Sequence, residues 1–236
     1  MTPIRLDKHL AALLGCSRGD ARQYIEGGWV RVDGETVDAP QHPIDGQQVV
    51  LAPDARLGEV APATLLLHKP AGIDSEAAIA LATPASRSGL DMLDQAVLRR
   101  HFHRLAAPMP LDAEASGLLV LTQDHRARRR LTEDTAHLEQ EYIVEVEGTL
   151  PPYALAQLSR GGLDDNGWPL PPCKVSRQSE QRLRFAIKQV RPGQLQRMCA
   201  QVGLRAVGIK RLRIGRIGLA KMDVGTWRYL PPGERF

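Results

Sequence analysis

The residue best placed to do chemistry is a single aspartate. In "PMPLDAEASGLLVLTQD", residues 108–124, Asp112 stands before a small-residue turn and an apolar run suited to a buried strand. A carboxylate held there can serve as nucleophile or base, provided an arginine or lysine keeps it ionised. It can equally cap the turn by accepting backbone N–H bonds, a common use of aspartate. Other reactive groups are sparse. Cys16, Cys173 and Cys199 are far apart and form no CxxC pair, so neither a disulfide framework nor a cysteine zinc site is expected. The chain has no glycine-rich phosphate loop, no HExxH and no GxSxG, which counts against the common metal-driven and cofactor-driven chemistries.

The charge pattern points to a partner. The formal net charge is +4 and the isoelectric point about 9.1. From Arg182 to Lys221 there are eleven basic residues and no Asp or Glu. Inside a folded region such a one-signed stretch repels itself unless it faces a polyanion, and nucleic acid is the obvious one. "HRARRR" at 125–130 repeats the theme; for either cluster the alternative is a solvated face that aids solubility. Aromatics are only 4% of the chain, so a nucleic-acid surface would rely on charge and shape more than on stacked rings.

These groups must be positioned by recognisable elements. Residues 1–53 read as a separate unit: "RLDKHLAALLG" has Leu6, Leu10, Leu13 and Leu14 at helical spacing with Gly15 as a stop. "SRGDARQYIEGG" predicts a second helix capped by Ser17, and "WVRVDGETV" alternates around the hairpin signal Asp33-Gly34. Residues 54–63, rich in Ala, Pro and Gly, read as a linker. Residues 64–236 read as a second domain. Its predicted strands lie in "TLLLHKPAG", "GLLVLTQD", "EYIVEVEG", "RLRFAIKQV" and "IKRLRIGRIGLA", and its helices near 76–82, 89–101, "HRARRRLTED" and "QLQRMCAQVG". Strands without regular βαβ alternation predict an α+β fold on a mixed or antiparallel sheet. No apolar run approaches a membrane span, and "MTPIRLDKHL" carries charges where a signal peptide would be apolar. A cytoplasmic protein, monomeric and without a membrane partner, is the expectation.

The first unit resembles the alpha-L RNA-binding motif, through "RLDKHLA", "SRGDARQYIEGGWVRVDG" and "PIDGQQVVL". Residues 1–50 hold five Arg/Lys against seven Asp/Glu, so RNA binding requires Arg5, Lys8, Arg18, Arg22 and Arg31 to gather on one face. The second domain is similar to the bacterial ribosomal-RNA pseudouridine synthases of the small-subunit type that carry this motif at their start. The resemblance rests on "HKPAG", "PLDAEASGLLVLTQD", "EYIVEVEG", "GQLQRMCAQVG" and "IKRLRIGRIGLAKMDVGTWRYLPPGE", in the family's order and rough spacing. It implies isomerisation of a uridine in RNA, most simply ribosomal RNA, with neither metal nor organic cofactor. By the same resemblance Asp112 attacks the target nucleotide or abstracts a proton from it, and Tyr142 stacks on the uracil, with a hydroxyl available for proton removal at carbon 5. Ile209 lies under the base, with Arg197 beside the pocket. Lys69 is a structural residue or a phosphate partner, and Arg128, Arg211 and Arg213 belong to the RNA track.

The chain departs from the family at three positions, and each departure removes a positive charge. Pro110 replaces the usual arginine two residues before Asp112, Gln196 the usual basic partner of the aspartate, and Gln140 the usual lysine two residues before Tyr142. Two readings follow. Either another arginine, Arg191, Arg197 or Arg211, takes over the pairing with Asp112, or the fold keeps RNA binding without catalysis.

Overall fold

A computed structural model of the chain describes residues 3–58, 61–163, 167 and 169–236. Among them no helix is long and apolar enough to cross a membrane. The chain forms two compact units, one of Met1–Pro62 with Asp94–His103 and one of Ala63–Leu93 with Arg104–Phe236.

The first unit runs β1 (Ile4–Arg5), α1 (Leu6–Leu14), α2 (Arg18–Glu26), β2 (Val30–Val32), β3 (Glu35–Thr36), β4 (Pro43–Ile44) and β5 (Val49–Leu51). Leu6 and Leu10 of α1 meet Ala21 and Ile25 of α2 over Val30, Val32 and Ile44. Leu13 and Leu14, expected on that apolar face, are exposed instead, because α1 is only nine residues long and its last turn passes beyond the small core. Gly15 ends α1 in the left-handed region at φ 64°, and Ser17 caps α2 by accepting the Asp20 N–H. Asp33 and Gly34 both have positive φ, as the tight turn between β2 and β3 requires.

Residues 94–103 fall in this first unit, whereas the sequence places all of 64–236 in the second domain. Leu98 packs against Gly28, and the Asp38 carboxylate accepts the Arg99 N–H. The helices expected near 76–82 and 89–101 are reduced to 3-10 turns at Ala77–Leu81, Pro84–Ser86 and Arg99–Phe102. Local side-chain bonds explain part of this: Arg87 donates to Leu93 O, and Asp91 accepts the Leu93 N–H, diverting backbone groups that a helix would need.

The second unit contains β6 (Thr64–Lys69), β7 (Ala115–Thr122), α3 (His125–Glu133), β8 (Glu139–Glu147) and α4 (Ala154–Arg160), then β9 (Gly162–Leu163), β10 (Pro169–Leu170), β11 (Lys174–Ser179), β12 (Arg182–Lys188), α5 (Gln194–Ala200), β13 (Arg205–Ile214), β14 (Ile217–Gly218) and β15 (Trp227–Tyr229). Its main sheet has the order β11-β12-β8-β13-β7-β6-β15, with β14 paired to β13. All its pairings are antiparallel except β13 with β7. The expected α+β mixed sheet is the fold. β7 is the apolar strand predicted behind Asp112, and seven of its eight residues are buried. One core, holding Tyr142, Val144, Phe185 and Ile209, lies against α4 and α5; another, holding Leu66, Leu118, Val120 and Ile214, takes in Leu131 of α3.

Candidate active site

Asp112 lies three residues ahead of β7, and its carbonyl accepts the Ala115 N–H, so the turn feeds directly into the central strand. Three buried side chains tie down the backbone around it. The Lys69 ammonium donates to the carbonyls of Pro70 (2.8 Å), Ala113 (3.1 Å) and Ala115 (2.7 Å). Ser75 donates its hydroxyl to Leu111 O and accepts the Leu111 N–H (3.0 and 2.8 Å). Arg211 donates Nη2 to Met109 O (2.8 Å), Nε to Leu118 O (2.8 Å) and Nη1 toward Pro110 O (3.4 Å). The aspartate is thus held from both sides, a rigidity that a surface turn cap does not need.

The register explains what faces it. Arg211 and Ile209 of β13 pair with Tyr142 and Val144 of β8 on one side and with Gly117 and Ala115 of β7 on the other, so alternate residues share one face of the sheet. The approach of β7 to β13 depends on Gly117. Its φ of 109° suits glycine, and a Cβ there would lie 2.6 Å from Arg211 N and would overlap Arg211 O. On this face opens a cavity of about 450 Å³, lined among others by Asp112, Gln140, Tyr142, Ile209 and Arg211. Its size is that of a small-molecule or nucleoside pocket.

Hydrogen bonds and charge specify the cavity further. The Asp112 carboxylate accepts the N–H of Gly193 (2.9 Å), the left-handed residue that caps α5. The Tyr142 hydroxyl donates to Gln140 Oε1 (2.7 Å), which also accepts Arg211 Nη1 (3.1 Å). Gln140 therefore acts as an acceptor for two donors, a role that a lysine at this position could not fill. Burial pushes the Tyr142 phenol up, against the opposing pull of the Arg211 charge, so the hydroxyl stays protonated at neutral pH. Thiol chemistry is disfavoured: burial pushes Cys173 up to about 11 and Cys199 to about 12. No cluster of three or more His, Cys, Asp or Glu that could hold a metal occurs among the described residues.

Comparison with known proteins identifies this arrangement. Residues 4–50 match the S4 domain, and residues 63–201, more than half of the chain, match the RNA pseudouridylate synthase family. The chain belongs to that synthase family. Relatives include the ribosomal small subunit pseudouridine synthase A of Salmonella typhimurium, 30% identical with 98% of each chain covered, and its Escherichia coli K12 counterpart with the same figures. An uncharacterized RNA pseudouridine synthase of Aquifex aeolicus is 28% identical over 98% of this chain and 94% of its own. A crystal structure of a pseudouridylate synthase shares the fold, with a TM-score of 0.63 and 23% identity, and covers 97% of this chain and 96% of that one. The S4 domain followed by a synthase domain places the protein with the bacterial ribosomal-RNA synthases, and pseudouridine synthesis on RNA is its general activity.

The synthase domain brings Asp112, Tyr142 and Ile209 to one cavity, as expected from the motifs, and corrects several other expectations. Arg197 lies outside the cavity lining, although its guanidinium sits beside Gly193, where a Cβ would be 2.7 Å from Nη1. Lys69 and Arg211 are fully buried with their donors on main-chain carbonyls and Gln140, so neither belongs to a phosphate track. Arg213 pairs with Glu139 (2.7 Å) and Glu141 (3.1 Å). The same strand β8 answers three more of the eleven basic residues: Arg182 pairs with Glu145, Arg184 with Glu141 and Arg205 with Glu147. Four arginines of the one-signed sequence are thus neutralised by a neighbouring strand of opposite sign, a compensation visible only once β8 lies between β12 and β13.

In the S4 domain, Arg5 and Arg18 converge on the buried carboxylate of Asp7, at 3.0 Å each, while staying 52% and 60% exposed. Burial alone would raise the Asp7 carboxyl, but the hydrogen bonds and charge of the two arginines hold it below the usual carboxylate range. Lys8, Arg22 and Arg31 are exposed on the same unit. Arg128 is exposed on α3. Sequence reasoning missed Ser75 and Gly193 as supports of Asp112. The Pro192-Gly193 pair did carry a turn signal, whereas nothing in the sequence set Ser75 apart from other loop serines.

Proposed function

We propose that this protein converts a specific uridine of ribosomal RNA to pseudouridine, with Asp112 as the reacting carboxylate and without metal or organic cofactor. Small-subunit ribosomal RNA is the substrate suggested by the names of the relatives, and such a reaction belongs in the cytoplasm. The observation that carries the reading is the placement of a doubly anchored Asp112 at a cavity whose other walls are Tyr142 and Ile209. The target nucleotide, flipped out of its stack, sits with its uracil between the Tyr142 ring and Ile209, and its ribose against Asp112. The N1–C1′ bond breaks, the uracil turns, and a C5–C1′ bond forms. The carbon-5 proton leaves to solvent and N1 gains a proton, so the overall change is an isomerisation. Asp112 acts either by attack on C1′ or by removal of the C2′ proton to give a glycal.

The loss of charge at Pro110, Gln140 and Gln196 favours a second reading, an RNA-binding protein without catalysis. Two features count for the enzyme. Arg211 keeps a cation on the cavity wall next to Gln140, and Gly193 gives the Asp112 carboxylate a main-chain donor. The test is pseudouridine mapping of total RNA from cells lacking the protein, complemented with the intact gene or with Asp112→Asn. A pseudouridine that disappears and returns only with the intact gene is the expected result; an unchanged map would overturn the enzymatic reading.

A further inference from the structure

Helix α3 carries four arginines, and the structure divides them. Arg129 pairs with Glu133 (3.1 Å) and Arg130 with Asp134 (2.7 Å), each four residues on. Arg126 and Arg128 are exposed, and among the described residues their side chains form no ion pair or hydrogen bond. Asp124 caps the start of the helix by accepting the Arg126 N–H (2.8 Å), and of the four arginines only Arg126 and Arg128 have no side-chain acid partner among the described residues.

The same helix forms a wall of the active-site cavity. Leu131 and Thr132 of the helix line it, as does Thr135 in the turn that follows, and Arg128 stands four residues before Thr132 on the same helix face. The Thr132 hydroxyl donates to Arg128 O (3.1 Å), which leaves its oxygen as an acceptor toward the cavity. The Thr135 hydroxyl has no protein partner among the described residues. Arg128, a cation unpaired among the described residues, therefore stands one helical turn from a hydroxyl on the cavity wall, whereas Arg126, two residues earlier, lies about 200° round the helix on another face.

We propose that this face of α3 is a ledge for the single-stranded nucleotides that flank the target uridine. Arg128 holds a phosphate of that strand, while Thr132 and Thr135 meet the ribose or base edge that enters beside the target. The inference rests on the reading of the cavity as the uridine site. A single strand fits because groups inside the cavity can be met only by nucleotides already splayed from a helix.

The test uses the full-length protein and two probes, a short fluorescein-labelled single-stranded RNA and a duplex of the same sequence, with affinity measured across a salt series. Arg128→Gln is expected to weaken single-strand binding about three-fold and to reduce the log–log salt slope by about 0.7, one phosphate contact, while Arg126→Gln, on another face of the helix, is expected to leave the slope unchanged. The charge-matched control Arg129→Gln, which removes an arginine already paired with Glu133, is expected to stay within about two-fold of wild type, since exposed ion pairs contribute little. Thermal unfolding of each variant checks that α3 remains folded. An unchanged slope in Arg128→Gln, an equal loss in Arg126→Gln or Arg129→Gln, or an equal loss on the duplex would each overturn the ledge. A wild-type protein that forms no pseudouridine in any RNA would sink the proposed function, while the salt slope would still decide whether the ledge binds RNA.

Discussion

Replacing Arg211 by methionine should unseat the reacting carboxylate without touching it. The guanidinium makes three well-formed hydrogen bonds, to Met109 O and Leu118 O at 2.8 Å and to Gln140 Oε1 at 3.1 Å; the fourth, to Pro110 O at 3.4 Å, is too long to count for much. At ~1 kcal/mol net for each good bond the loss is about 3 kcal/mol. Relief from burying a charge reduces this figure, and stranding three acceptors increases it, with water from the adjoining cavity able to reach only part of the gap. For a domain of this size, about 3 kcal/mol corresponds to a fall in melting temperature of roughly 6–12 °C. The chemical effect should be larger than the stability effect implies. Met109 and Pro110 lead into Asp112, and a shift of about 1 Å at a reacting group costs on the order of 100-fold in rate. Release of tritium from carbon 5 of labelled uridine in ribosomal RNA measures the reaction, and calorimetry measures the fold. The expected outcome is a kcat lowered by about two orders of magnitude with KM nearly unchanged, and only partial recovery in Arg211→Lys, whose single ammonium cannot reach all three acceptors. A melting temperature within about 1 °C of wild type would refute the bond accounting. A kcat within about two-fold would refute the coupling of Arg211 to Asp112.

Other predictions follow from the same geometry. Gly117→Ala must push β7 away from β13 and adopt a φ of 109° that alanine resists, so it should cost about 3 kcal/mol or more and lower activity in step with stability, as read by denaturant unfolding and tritium release. Asp7 contributes stability that is fully present above its unfolded pKa and lost as pH falls through its lowered folded value. The S4 domain should therefore weaken below about pH 4, and Asp7→Asn should be less stable at pH 7 yet flatter across the acid limb of a pH-dependent melt. With thiols held up at about 11 and about 12, Cys173 and Cys199 should resist iodoacetamide at neutral pH in the folded protein, and mass spectrometry of the intact chain should find them unmodified.

The elements that matter most were legible in the sequence where local physics decides them. The apolar run after Asp112 is β7, Ser17 caps α2 through its own hydroxyl, and Gly15 ends α1, because each outcome depends on neighbours only a few residues away. The motifs around Asp112, Tyr142 and Ile209, through their resemblance to the synthase family, likewise marked residues that line the cavity.

Charge was a different matter. An arginine in the sequence carries no record of what lies across the sheet, so Arg182, Arg184, Arg205 and Arg213 read as a polyanion track until β8 supplied their glutamates. Arg211 and Lys69 read as phosphate partners until folding buried them against the carbonyls of the Asp112 turn. Helix α3 divides in the same way, for the acids at 133 and 134 are close enough in sequence to forecast two of its pairs, whereas the cavity beside Thr132 and Thr135 exists only in the fold. The sequence by itself determined which residue types could react and which segments would form strands and helices, because those depend on local spacing. Tertiary structure decided which charges remain free to meet RNA, because neutralisation and burial are set by strands and loops up to about a hundred residues apart in the chain.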